Sequence, residues 1–172
     1  MATRAASHDA RRVAELLGRE PEATFEVVVR DASGEPVVLR NDPLMFNGRP
    51  MPTLYWLAGK DALRRVSRLE AAGGVRAAEA AIPAAELAAA HARYAAERDS
   101  AIPQGHAGPR PSGGVAGTRT GVKCLHAHYA YHLAGGDDPV GRWVAAKLAE
   151  AADDPGAIND SAINDQGEQA PA

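Results

Sequence analysis

Residues 24–40 run TFEVVVRDASGEPVVLR, and no other stretch constrains the fold as much. Two β-branched runs flank DASG, where Asp, Ser and Gly supply turn chemistry. The chain must double back there as a β-hairpin, about 24–30 against 36–40. Pro36 lacks an N–H for the ladder and suits a strand start or an edge. After a loop with an Asn47-Gly48 turn signal, MPTLYWLAG predicts a third strand over 53–57. Extended backbone sends Tyr55 and Trp56 to opposite faces, so one of them meets a second layer or the solvent edge.

Helical periodicity takes over on both sides of these strands. Ser7 can cap a short helix that places Val13, Leu16 and Leu17 on one side and ends at Gly18. Leu63, Val66 and Leu69 predict a helix over 60–72 with an arginine face, closed by Gly73-Gly74. VRAAEAAIP reads as a short strand or a loop. A strong helix follows Pro83, with Pro83 near its first position and Leu87, Ala90, His91 and Tyr94 along one stripe. His91 is expected on the flank of that stripe, partly exposed. Residues 122–134 form a further helix, and Val140, Trp143, Val144 and Leu148 make the buried face of the last one. Asp138 before Pro139 has the pattern of an N-cap followed by proline at the first helical position.

The expected class is α+β, a small antiparallel sheet of hairpin plus third strand covered by three to four helices. Residues 1–152 make one domain, and the polar stretch 153–172, with AIND twice, makes a disordered tail. Apolar residues are 45% of the 172, much of that alanine, with only two Trp, four Tyr and two Phe. A core of Leu, Val and Ala requires close helix packing. The formal charge of −3 argues against whole-surface binding of nucleic acid. No apolar run is long enough to span a bilayer, and no signal-type stretch opens the chain, so a soluble cytoplasmic protein is expected. A single cysteine excludes an internal disulfide framework.

The chemistry gathers in GVKCLHAHYAYHLAGGDDP, residues 121–139, at the end of a Gly- and Pro-rich segment over 102–121. An irregular segment of that length inside a domain is functional or mobile. On a continuous helix Cys124, His128 and His132 fall at i, i+4 and i+8, with His126 at the border of the neighbouring apolar stripe. Four readings are open. Cys124, His126 and His128 are thiolate and imidazole donors suited to zinc. Cys124 near a helix start, beside Lys123 and Arg119, is a candidate nucleophile with His128 or His126 as base and Asp137 or Asp138 as orienting group. The glycine-rich junction, with Gly117, Gly121, Arg119 and Lys123, is a candidate seat for an anionic small molecule. The bland alternative is a small buried thiol beside hydrogen-bonded or solvated histidines.

Three segments carry a family resemblance: PMPTLYWL, VSRLEAAGGVRAAEA and RPSGGVAGTRTGVKCLHAHYAYHLAGGDDPVGRWV. They resemble the uncharacterised bacterial family numbered five hundred and one among the domains of unknown function, over residues 10 to 150. The diagnostic part includes Gly113, Gly114, Gly117, Arg119, Gly121, Lys123, Cys124, His126 and His128; His132 lies outside it. The resemblance implies no assigned reaction. It implies genes beside those of a septum formation initiator, an enolase and an exopolyphosphatase-like phosphatase, hence a third class of function, an interaction module tied to cell division. Members of that family carry Cys-Pro-Cys-Gly in the first hairpin, where this chain has Asp31 to Gly34. A metal shared with those cysteines would lose half its ligands here unless Asp31 substitutes, which leaves a three-ligand or metal-free site. The expectation is a ligand or metal site at 112–128; the alternative is a hydrolase or transferase built on Cys124 or on a Cys/His-bound metal.

Overall fold

A computed structural model describes residues 7–153. The hairpin forms as β1 (Phe25–Arg30) and β2 (Pro36–Asn41), and a short β3 (Tyr55–Leu57) adds to β2. The sheet is antiparallel in the order β1-β2-β3. Asp31 makes the turn: its carboxylate accepts from the N–H groups of Ser33 and Glu35, and Gly34 takes the left-handed φ of 87° that the reversal needs. Those bonds, led by the Ser33 hydroxyl, hold the Asp31 carboxyl below its usual range.

Six α-helices are present among the described residues: α1 (Ser7–Leu17), α2 (Lys60–Ala71), α3 (Gly74–Ala81), α4 (Ala84–Ser100), α5 (Leu125–Leu133) and α6 (Pro139–Asp153). The α+β expectation holds, with differences at three places. VRAAEAAIP is neither strand nor loop. Left-handed Gly73 ends α2, and Gly74 begins α3 at once. Pro83 precedes α4 as its cap residue rather than sitting inside it, and α5 begins at Leu125, three residues later than expected. Of the proposed tail, Asp153 ends α6 and residues 154–172 lie outside the described residues.

The sheet has two apolar faces because side chains alternate along its strands. Val38, Tyr55 and Leu57 join the main core with Val66, Tyr94, Leu125, Tyr131 and Val144. Leu39, Phe25 and Trp56 face the other way, against Val13 and Leu17 of α1, so Tyr55 and Trp56 do part as expected. Arg19 stacks on the Trp56 ring at 5.3 Å. Asp9 and Glu35 tie α1 to the hairpin through Arg30 and Arg12. Small residues set the helix spacing. A Cβ on Gly141 of α6 would lie 2.3 Å from the His132 Cβ and 2.6 Å from the His128 carbonyl oxygen on α5.

Candidate functional site

The glycine-rich segment before α5 is held by two polar side chains of α4. His91 is buried, not on an exposed flank. Its Nδ1 accepts the Val115 N–H at 3.0 Å, and its Nε2 donates to the Gly121 carbonyl at 3.0 Å. Arg98, two turns on and 1% exposed, donates to the carbonyls of Gly113 at 2.8 Å and Ser112 at 3.4 Å and pairs with Asp99. The loop answers with small residues. A Cβ on Gly114 would sit 2.4 Å from the His91 Cβ, and Ala116 holds a left-handed φ of 56°. Of the segment that sequence alone leaves as functional or mobile, the second half, from Pro111 to Gly121, is fastened by these hydrogen bonds.

The same fastening takes up polar backbone groups of the glycine-rich segment. The Gly117 N–H donates to the Gly114 carbonyl, and the Gly121 carbonyl is committed to His91. The Val122 N–H donates to Glu79 at 2.7 Å, and the first N–H of α5, from Leu125, donates to Glu70. Carboxylates therefore serve the amides of Val122 and Leu125 at this junction. Arg119 and Lys123 stay at the surface, with the Lys123 ammonium 3.4 Å from the Ala116 carbonyl oxygen.

Cys124 is the cap residue of α5, with extended backbone at φ −156° and ψ 146°. A residue outside the helix does not share the face that i, i+4 spacing implies, so Cys124 and His128 part company. The group that does converge is Cys124, His126 and Glu70, whose ligand atoms lie within 4.8 Å of one another. Glu70 and Ser67 stand one turn apart on α2 and meet His126 from opposite sides. His126 Nδ1 is 3.1 Å from Glu70 Oε1, and His126 Nε2 is 3.1 Å from Ser67 Oγ. Asp31, spent on its turn, is not in this group. Burial pushes the Cys124 thiol up and Glu70 adds to that; the N–H groups of Ala127 and His126 and the Lys123 charge oppose it. Burial thereby works against the thiolate that a nucleophile needs.

His128 is wholly buried on the other side of α5. Its Nδ1 is 2.7 Å from Asp138 Oδ2, while Asp138 Oδ1 accepts the Gly141 N–H at 2.7 Å. Asp138 is therefore both the expected cap of α6 and the carboxylate that orients an imidazole. Among the described residues His128 Nε2 has no hydrogen-bond partner, and the ring lies edge-on to His91 with centroids 5.7 Å apart. Asp137 faces outward, paired with Arg142 and Arg93.

Sequence reasoning misses Glu70, Ser67 and the role of His91. A trace of the first two is present, because both lie in VSRLEAAGGVRAAEA, a segment that carries the family resemblance. Comparison with known proteins settles the family. Residues 27–146 match the family described as Protein of unknown function (DUF501). The chain belongs to it. The DUF501 match runs from inside β1 into α6 and takes in Ser67, Glu70, His91, Cys124, His126, His128 and Asp138. No curated protein and no solved structure matches the chain. No described helix is long and apolar enough to cross a membrane.

Proposed function

We propose that Glu70, Cys124 and His126 form a metal centre, with zinc as the ion that best suits the donors. The carrying observation is the approach of a thiol, an imidazole nitrogen and a carboxylate within 4.8 Å of one another at the junction of α2 and α5. Tetrahedral zinc places neighbouring S and N ligands about 3.5 Å apart, so a small contraction completes the set. The surroundings suit it. Ser67 Oγ can accept from His126 Nε2–H, which leaves Nδ1 bare for an ion, and the Leu125 N–H steadies the Glu70 carboxylate. Binding would displace the thiol proton. Three protein ligands leave a position open, and zinc held so supplies a water acidic enough to act near neutral pH. Lys123 acts on Cys124 and would sit beside an anionic ligand there, and Arg119, also exposed, precedes Cys124 by five residues.

The test is elemental analysis and zinc titration of chelator-stripped protein purified without a metal-binding tag. About one zinc per chain is expected, lost in Cys124→Ser and weakened at least tenfold in Glu70→Gln, the scale of a lost ligand or supporting partner. No zinc above background in the wild type would end this reading.

A second reading has its own observation. Ser67 Oγ, His126 Nε2, His126 Nδ1 and Glu70 Oε1 form a chain of two 3.1 Å contacts, the connectivity of nucleophile, base and orienting acid. It makes the protein a serine hydrolase and predicts covalent labelling of Ser67 by a fluorophosphonate in chelator, abolished in His126→Ala. An unlabelled wild type would dismiss it.

A further inference from the structure

His91 uses both ring nitrogens on one loop, and only one protonation state permits that. Nδ1 must be bare to accept the Val115 N–H, and Nε2 must carry a proton for the Gly121 carbonyl. A second proton, on Nδ1, removes the acceptor and turns N–H toward N–H. Val115 is fully buried, so its amide then loses its partner without gaining water. The loop has little slack. Gly114 already touches His91, and Ala116, one residue past Val115, is held in left-handed backbone that L side chains rarely adopt. Beyond Gly121 only Val122 and Lys123 separate the clasp from Cys124.

We propose that His91 is a proton-operated latch: its neutral ring fastens residues 115–121, and its protonation frees that loop and the backbone that positions Cys124. The charged and titratable groups facing the ring are His128 from α5, which opposes a second cation, and Asp138 at the start of α6, which favours one. Burial outweighs Asp138 and the Gly121 carbonyl and holds His91 below the ordinary histidine range. The sign follows. A freed His91 binds a proton more readily than a fastened one, so the closed loop is fully stable above the ordinary value and weakens as pH falls through it. With a free-state pKa of about 6.5, the open fraction rises up to about thirtyfold between pH 7.5 and pH 5. This inference does not depend on the metal centre.

The test is amide hydrogen exchange of the full chain by mass spectrometry, in chelator, corrected for intrinsic rates at each pH. Peptides covering 111–121 are expected to lose protection at pH 5 relative to pH 7.5, by up to about thirtyfold, while β1–β2 peptides hold steady. His91→Gln offers one acceptor and one donor without titrating, and its profile is expected to stay flat. Labelling of Cys124 by dithiodipyridine, which works in acid, is expected to rise in parallel in the wild type alone. A flat wild-type profile, an equal gain in His91→Gln, or a gain spread uniformly over the sheet would each overturn the latch. If His91→Gln does not fold, the comparison of 111–121 with β1–β2 in the wild type decides by the same criterion.

Discussion

Replacing Asp138 with alanine should be among the costliest single changes in this chain. The carboxylate is fully buried and serves two donors, the Gly141 N–H and His128 Nδ1, each at 2.7 Å. Losing an N-cap costs about 1 kcal/mol. Leaving the buried imidazole without this partner costs about 1–3 kcal/mol more, because His128 Nε2 has none among the described residues. The sum is about 2–4 kcal/mol, a large share of the 5–15 kcal/mol typical of a whole domain, and lowers Tm by roughly 5–15 °C. Urea unfolding at constant m is the assay. Asp138→Asn keeps a cap oxygen and can donate to Nδ1 if the ring changes tautomer, so it should lose about 1 kcal/mol. In a His128→Leu background Asp138→Ala should cost the cap alone, about 1 kcal/mol, and the difference is the coupling energy. A cost under about 0.5 kcal/mol, the scale of an ordinary surface change, would refute the reasoning. So would equal costs in both backgrounds.

Arg98→Met strips a buried cation from the carbonyls of residues 111–113; a loss of about 3 kcal/mol is expected in urea unfolding, and a loss below 1 would mean that water replaces it readily. Two glycines should fail for different reasons, measured by Tm. Gly114→Ala lacks space against His91 and should cost about 1–3 kcal/mol. Gly34→Ala has open space but a φ of 87°, should cost about 1 kcal/mol, and should be largely rescued by Asn. Cys124 should alkylate with iodoacetamide at pH 8 at least tenfold more slowly in the folded chain than in urea, since burial raises its thiol; equal rates would place the sulfur in water.

Local chemistry made the hairpin legible: β-branched runs, DASG and a proline at the strand start leave few alternatives. Helix α3 was not legible, because its buried positions, Gly74 and Ala78, are too small to mark an apolar face, and Gly73-Gly74 looks like an ending when its second residue is a beginning. The site was half legible. The cysteine and histidine segment was the right place, but spacing was applied across a helix boundary. Once Leu125 opens the helix, Cys124 turns toward α2 and His128 toward α6. Glu70 lies 55 residues before its partner Leu125 and Ser67 lies 59 before His126, and no short-range pattern connects such pairs. His91 belonged to a correctly read stripe. Its burial comes from a loop that wraps back over it, which periodicity along α4 does not register.

The outward face of the sheet bears on what can exist as a separate piece. The family match begins at Val27, inside β1, yet Val13 and Leu17 on α1 are what shield Leu39 and Trp56 from water. A fragment cut at Val27 would shed Phe25 and that lid together and bare an apolar sheet surface of the sort that drives self-association. A stretch that keeps this face covered therefore reaches back through α1, and a fragment with homology boundaries drawn at β1 is expected to self-associate more than one that begins before α1.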